Sequence, residues 1–199
     1  MNDIWSKQVT LEGDLVVLSP LSIKYLDELT LAGSDPEIWK YMLYGEPKTR
    51  EFMHIWIEDL LARRDTRGEI PFVVIFKNTG KAIGATRYLD IQPANRSLEI
   101  AGTWYATKYQ RTGVNTESKY LLLKYAFEIL GCIRVQFKTD KRNIRSQTAI
   151  ERLGAVKEGI LRNHIITNEG LIRDSVYYSI LDKEWLNVKM KIIDRMNRE

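Results

Sequence analysis

The sequence has few of the residues that hold proteins together through covalent bonds or metal ions. Among its 199 residues are one cysteine and two histidines. The single thiol of Cys132 cannot form an internal disulfide, and with His54 and His164 it makes too small a set for a structural zinc site. The apolar neighbours of Cys132 favour a buried, unreactive thiol. We therefore expect no metal cofactor and a fold held by ordinary packing.

Long hydrophobic runs and compositionally biased segments are missing too. The longest apolar runs, such as residues 72–76 and 120–123, are far too short to cross a bilayer, and the N-terminal residues lack a signal-peptide pattern. No tract is rich in proline, serine or any single residue type, which argues against disorder and repeats. We expect one domain over residues 1–199, in the cytoplasm, without a membrane partner and as a monomer or homodimer.

Charge of one sign is only slightly in excess, with 30 basic and 26 acidic residues and a net charge of +4. Apart from residues 63–64 and 138–142 the charges are interspersed, as on a solvated surface. A nucleic-acid binder is one alternative function, favoured by the mild basic excess and the ten tyrosines. It lacks the clustered basic face that such proteins use, so we expect no nucleic-acid partner.

The spacing of apolar residues alternates between the periods of strands and helices. Strands are predicted at residues 15–18, 72–76, 83–91, 97–105, 133–139, 156–166 and 171–180, and helices at 20–31, 49–64, 116–130, 144–153 and 181–196. Residues 97–139 then form a βαβ unit, whose two strands are parallel, whereas the C-terminal hairpin is antiparallel. The pattern predicts an α/β fold of the mixed α+β kind, with a mixed sheet and helices on both faces.

A phosphate-binding loop is predicted where the strand 97–105 leads into the helix 116–130. The first N–H groups of a helix have no intrahelical partner, and the helix dipole is positive there, so an anion is stabilised. Gly113 removes a side chain where the backbone approaches the ligand or takes a positive φ, and Asn115 tolerates such a conformation or caps a helix. The predicted pyrophosphate site comprises Gln110, Arg111, Thr112, Gly113, Val114, Asn115 and Thr116.

This loop and the segments after it resemble the GCN5-related N-acetyltransferases, the GNAT superfamily. Residues 110–115 are similar to its Gln/Arg-x-x-Gly-x-Gly/Ala loop, from which Asn115 departs at the sixth position. Residues 143–146, 153–155 and 158–162 resemble, in order and spacing, the Asn-x-x-Ser, Gly-(Phe/Ala) and Glu-Gly-x-x-Arg motifs of the branch related to ribosomal-protein N-terminal acetyltransferases, the RimJ/RimL-like branch. The likeness continues through Trp185 and covers roughly residues 15–185.

The resemblance implies acetyl-CoA as co-substrate and a mostly antiparallel central sheet with two parallel strands splayed apart. The pantetheine arm would lie in the gap beside Trp104 and Tyr105, where the strand backbone would donate an N–H to the thioester oxygen. Asn143 would bind a pantetheine amide, since its side chain offers both a donor and an acceptor. The alternative role for Asn143 is a turn or helix cap.

Two residues are candidates for catalysis. In the resembling branch a serine at the position of Ser146 lies near the thioester sulfur, where its hydroxyl would support the leaving thiolate; the alternative is helix capping. His164 has a suitable intrinsic pKa for a general base; the alternative, which the sequence favours, is that it simply faces solvent. Some relatives carry a glutamate nearby, where this chain has Ile165. A relayed water could also serve, without a dedicated base.

The sequence indicates the acceptor pocket less clearly than the cofactor site. The aromatic-rich residues 39–44 and Trp56 could form its wall or belong to the core. We expect direct transfer of an acetyl group to a primary amine, either a peptide or protein N-terminus or a small amine. A non-catalytic CoA- or peptide-binding module on the same fold is the main alternative. A nicotinamide enzyme is disfavoured, because the loop has one glycine and not three.

Overall fold

The structure is a computed structural model that describes residues 8–43, 45, 49–167 and 170–198. Its strands are β1 (Leu11–Glu12), β2 (Val16–Pro20), β3 (Ile70–Phe76), β4 (Lys81–Gln92), β5 (Ser97–Tyr105), β6 (Arg134–Asp140), β7 (Val156–Ile166) and β8 (Ile172–Leu181). Its helices are α1 (Leu26–Ala32), α2 (Arg50–Asp65), α3 (Gly113–Lys124), α4 (Ile144–Arg152) and α5 (Asp182–Met196). None of the described helices is long and apolar enough to cross a membrane.

The strands form one sheet in the order β1-β2-β3-β4-β5-β6-β8-β7. Of the pairs in this sheet only β5 and β6 are parallel, and α3 connects them. Most predicted elements agree with the structure to within about two residues. The mixed, mostly antiparallel sheet and the βαβ unit are therefore confirmed.

The parallel pair separates soon after it begins. Ser97, Leu98 and Glu99 of β5 pair with Arg134, Val135 and Gln136 of β6. Beyond this point β5 continues to Tyr105 and β6 to Asp140 without pairing to each other. Backbone groups along the gap therefore lack the partners that a sheet normally provides. We call this gap the fork.

A β-bulge bends β5 beside the fork. Ala85 of β4 pairs with Trp104, but Arg87 pairs with Ala101, so Gly102 and Thr103 together stand opposite a single residue of β4. Gly102 adopts φ of +58°, in the left-handed region that suits glycine. The two strands approach so closely that a Cβ on Gly84 would lie 2.1 Å from the Trp104 carbonyl oxygen.

Helices cover both faces of the sheet, as predicted. On one face α1 and α2 pack against the sheet through a core that includes Leu29, Met53, Trp56, Ile57 and Trp104. On the other face α3, α4 and α5 contribute to the larger core, whose members include Tyr88, Leu98, Leu122, Tyr178 and Val188. Cys132 is buried in this larger core, and burial raises its pKa to about 11.

Candidate active site

The predicted phosphate loop lies at the start of α3. The helix begins at Gly113, earlier than predicted, because Thr112 is its N-cap and accepts a hydrogen bond from the Val114 N–H at 3.4 Å. The left-handed residue of the loop is Arg111, with φ of +59°, and not Gly113. Asn115 lies within the first turn and is not the cap. A positive φ at Gly113 and a left-handed or capping role of Asn115 are therefore wrong, whereas the approach of a ligand to the Gly113 backbone stays a prediction.

Side-chain contacts fix this loop between the end of β5 and α4. Gln110 donates to the Tyr105 carbonyl at 3.0 Å and accepts from Arg145 of α4 at 2.7 Å. Just before the loop, the Thr107 hydroxyl donates to Asp35, which precedes the aromatic-rich segment. The contact ties the residues just before the loop to the segment that follows α1.

The side chains of Trp104 and Tyr105 point into the two cores and not into the fork. Trp104 is 3% exposed and packs against Trp39 and Trp56, with ring centroids 4.9 and 5.9 Å apart. Tyr105 is buried on the opposite face, and burial raises its pKa. Only the backbone of this part of β5 is available to a ligand in the fork.

Asn143 and Ser146 lie at the start of α4, close to the end of β6. Asn143 is the N-cap of α4, and its Oδ1 accepts the backbone N–H of Ser146 at 3.0 Å. The cap is therefore the side chain of Asn143, and Ser146 supplies only backbone to it. Among the described residues, no hydrogen-bond partner is found for the Ser146 hydroxyl, which is half-buried and available to a ligand.

His164 on β7 is half-buried and hydrogen-bonded, in contrast to the alternative that it simply faces solvent. Its Nδ1 lies 3.0 Å from the Ser175 hydroxyl and its Nε2 lies 3.4 Å from the Tyr177 hydroxyl, both on β8. Burial lowers the pKa of His164, and the nearby charges of Lys138 and Arg173 lower it further. The imidazole is therefore mostly neutral at pH 7 and able to accept a proton.

Sequence reasoning missed a buried carboxylate at the point where the fork opens. Glu99 is 1% exposed, and its Oε2 accepts from Gln136 at 2.9 Å and lies 3.5 Å from Lys138 Nζ. Its Oε1 is buried, and no partner for it is found within the described part of the chain. Burial raises the pKa of Glu99, although Lys138 opposes this shift. A lone acidic residue between Leu98 and Ile100 was the available signal.

A second buried charge group lies where β6 ends beside β8. Asp140 accepts Arg142 Nε at 3.0 Å and Nη2 at 2.7 Å, and Arg173 Nε lies 3.8 Å from it. Burial would raise the pKa of Asp140, but the hydrogen bonds from Arg142 outweigh it, so the pKa is lowered. Arg173 is 6% exposed and also donates to the Tyr41 carbonyl at 3.5 Å. This contact brings the segment of Tyr41 to the face of the sheet that carries Glu99, Asp140 and Arg173, which we call the polar face.

The aromatic-rich segment divides between core and surface. Trp39 is 3% exposed and donates its indole N–H to the Gly33 carbonyl at 2.7 Å, and Trp56 is also buried, so both belong to the core. Residues 41–43 are half-buried. Tyr44 lies outside the described residues. The segment thus contributes a core side chain at Trp39 and half-buried side chains at residues 41–43.

These features together define a class of enzyme. The start of α3 follows β5, and the hydroxyl of Ser146 lies near the end of β6, the other strand of the fork. Buried titratable groups, among them Glu99 and Asp140, lie on the same sheet beside the fork. The arrangement fits a transferase that uses a long, phosphate-bearing cofactor laid through a sheet.

The match to known families agrees with that class. Residues 16–156 match the family model described as "Acetyltransferase (GNAT) domain". The chain belongs to the GNAT acetyltransferase family, and it is an enzyme of the N-acetyltransferase class.

Curated relatives and solved structures support the same assignment. The chain is 35% identical over 106 residues to a Bacillus subtilis protein named "Putative ribosomal N-acetyltransferase YdaF", a match that covers 53% of this chain and 57% of the relative. The chain thus spans little more than half the length of that relative. A GCN5-related N-acetyltransferase from Brucella melitensis superposes with a TM-score of 0.90 at 30% identity, covering 96% of this chain and 86% of that one.

One further solved structure is informative for the fold. The microcin C7 self-immunity acetyltransferase MccE, solved with acetyl-CoA and AMP, superposes with a TM-score of 0.74 at 23% identity, over 85% of this chain and 93% of that one. At this identity the likeness concerns the fold alone.

Proposed function

We propose that the protein is an acetyl-CoA-dependent enzyme that transfers an acetyl group directly to a primary amine, over one domain spanning residues 1–199. The observation that carries this proposal is the fork between β5 and β6, with an open helix start following β5. A pyrophosphate at the helix start and a pantetheine arm in the fork would satisfy the unpaired backbone groups at both places.

The cofactor contacts follow from the hydrogen bonds already described. The pyrophosphate would lie on the backbone of residues 111–116, and the arm would meet the backbone of Trp104 and Tyr105. Because Asn143 Oδ1 is occupied by the Ser146 N–H, the free amide NH₂ of Asn143 would donate to a carbonyl of the arm.

In the transfer step, the neutral amine attacks the thioester carbonyl. A C–N bond forms and the C–S bond breaks, the amine proton passes to a base, and the thiolate takes up a proton. The backbone N–H groups of β5 would stabilise the charge that develops on the carbonyl oxygen. Since a serine hydroxyl is a weak acid, Ser146 would act by hydrogen-bonding the thiolate as its charge develops.

Two residues on the polar face are candidates for the general base that takes the amine proton. His164 is neutral and linked to the Tyr177 hydroxyl, so a proton could reach it through that hydroxyl. Glu99 lies at the opening of the fork, and its raised pKa brings it closer to that of a useful base. A water relay remains a third route in the proposal.

A peptide or protein N-terminus is the first acceptor to try. The name of the Bacillus subtilis relative supports this choice, because it refers to ribosomal N-acetylation. A depression of about 910 Å³ also lies beside His164, on the hairpin that β7 and β8 form, and an extended peptide could rest in it. The residues that line this depression are Ile160, Leu161, Arg162, Asn163, His164 and Asp174.

The test is release of free CoA thiol from acetyl-CoA in the presence of peptides with free N-termini and, separately, of small amines and polyamines. Turnover with one class supports the proposal. Tight CoA binding by calorimetry, with no turnover on any class, would instead favour the non-catalytic binding module.

A matched variant tests the cofactor site itself. Gly113 does not adopt a positive φ, so a Gly113→Val protein should fold while its side chain obstructs the approach of the pyrophosphate. We expect CoA affinity to fall more than about tenfold, roughly 1.4 kcal/mol, whereas Lys124→Val at the other end of α3 keeps it. Unchanged affinity in folded Gly113→Val protein would contradict the assignment.

A further inference from the structure

A buried lysine on α3 has no role in the site described so far. Lys119 is 6% exposed, and its ammonium donates to the Thr103 hydroxyl, which in turn lies 2.7 Å from the Thr86 hydroxyl of β4. Among the described residues no carboxylate forms an ion pair with Lys119. Glu117, on the same helix, is committed elsewhere, because it accepts the backbone N–H groups of residues 14–16 at 2.7 to 2.8 Å.

An ammonium group in this position is costly for the fold. Burial without a counter-charge disfavours the charged form and lowers the pKa of Lys119 to about 7. An apolar side chain of similar length would fill the same space without that cost. Stability alone therefore gives no reason for a lysine here.

The hydroxyl that receives the lysine belongs to the bulge of β5. Thr103 and Gly102 are the two residues that stand opposite one residue of β4, and Trp104, whose backbone borders the fork, follows directly. The other end of the contact is on α3, whose first turn is the proposed phosphate site. Lys119 therefore joins the phosphate end of the cofactor site to its thioester end.

We propose that Lys119 is a positioning residue for acetyl transfer, which holds the Gly102–Thr103 bulge so that the β5 backbone N–H groups are aimed at the thioester carbonyl. Donors that are fixed before the reaction stabilise the developing oxyanion without reorganisation, and a misplacement of about 1 Å is enough to slow a reaction substantially. The inference rests on the proposed function for its catalytic consequence, but its structural part, the fixed bulge, stands apart from it.

The experiment compares Lys119→Met with Thr103→Val, which removes the receiving hydroxyl with little change of shape, and with Lys124→Met as an exposed control on the same helix. We expect Lys119→Met and Thr103→Val each to lose at least about tenfold in kcat, with little change in the KM for acetyl-CoA. The double variant should lose no more than Thr103→Val alone, because both changes remove the contact between Lys119 and Thr103. Lys119→Met should also keep or raise the melting temperature.

A second measurement does not depend on turnover. Amide hydrogen exchange at residues 102–104 should become faster in Lys119→Met and in Thr103→Val than in the wild type, and stay unchanged in Lys124→Met. Faster exchange in a protein that acetylates nothing would support the fixed bulge while the proposed function fails. A lower melting temperature with kcat and exchange both retained would overturn the inference, as would full activity in folded Lys119→Met. Should Lys119→Met not fold, Thr103→Val alone decides by the same two readouts.

Discussion

At the scale of single residues, the spacing of Asn143 and Ser146 could not show which of them caps α4 and which is available to contact the cofactor. Asn143 caps α4 through its side chain, and Ser146 contributes only its backbone N–H to that cap. A serine in the first turn of a helix is so often a cap that sequence could not distinguish the two functions. The hydrogen bond assigns the cap to Asn143, and the contact of the Ser146 hydroxyl with the cofactor stays a prediction.

The two residues should therefore respond differently to replacement by alanine. Ser146→Ala keeps the capped N–H, so we expect an unchanged melting temperature, a lower kcat and a similar KM for acetyl-CoA. Asn143→Ala removes the cap and should lower the free energy of unfolding by about 1 kcal/mol. Thermal melts with steady-state kinetics measure both effects. A lower melting temperature with full turnover in Ser146→Ala would contradict the role at the sulfur.

His164 yields a pH prediction through its neighbours. Burial, Lys138 and Arg173 all lower its pKa, so a base at this position stays active to more acidic pH than a free imidazole would. In Lys138→Met one of these charges is gone, and the acidic limb of the kcat/KM profile should shift to higher pH. Lys157→Met, on the exposed part of β7, should leave it in place. If His164→Ala retains the limb, the base is Glu99 or water.

At the scale of elements, the close approach of β4 to β5 depends on one glycine. A Cβ at Gly84 would lie 2.1 Å from the backbone oxygen of Trp104, which cannot give way as a side chain would. Gly84→Ala should therefore destabilise the protein by about 1 to 3 kcal/mol or more and disturb the bulge. Gly159→Ala in β7, where a Cβ meets nothing within 4 Å, is the matched control and should be nearly neutral. Urea unfolding of both variants decides.

Most elements could be predicted from apolar periodicity, because buried faces repeat at fixed spacings. The start of α3 could not, since Thr112 and Gly113 precede the apolar pattern and only the cap marks the helix end. The separation of β5 from β6 was an implication of family likeness, and the bulge depends on contacts between strands. Glu99, Asp140 and Arg173 come together only when three strands pair in register, so beyond the isolated acidic residue in β5 no local pattern marks them as one group.

At the scale of the whole molecule, Lys119 links the proposed positioning of the β5 bulge to the stability of the protein. Its pKa is about 7 in the fold and 10.5 in the unfolded chain. Between these values the unfolded state binds a proton that the folded state does not, so this group makes the free energy of unfolding rise with pH, by about 1.4 kcal/mol per unit. Below about pH 7 both states are protonated and the full burial cost remains.

The comparison with Lys119→Met isolates this contribution from that of other titrating groups. The variant should be more stable than the wild type near pH 6 to 7, and its advantage should shrink as pH rises toward 10. Chemical unfolding of both proteins across this range provides the measurement. A difference in stability that does not vary with pH would mean that the amine titrates normally.

The contact between Thr107 and Asp35 joins the residues just before the proposed cofactor loop to the segment that reaches Arg173 through Tyr41. If CoA binding shifts one end of this contact and acceptor binding shifts the other, the two affinities are coupled. By thermodynamic reciprocity, whatever factor CoA contributes to the affinity for the acceptor, the acceptor must return to CoA. Part of that coupling free energy would then depend on the single hydroxyl of Thr107.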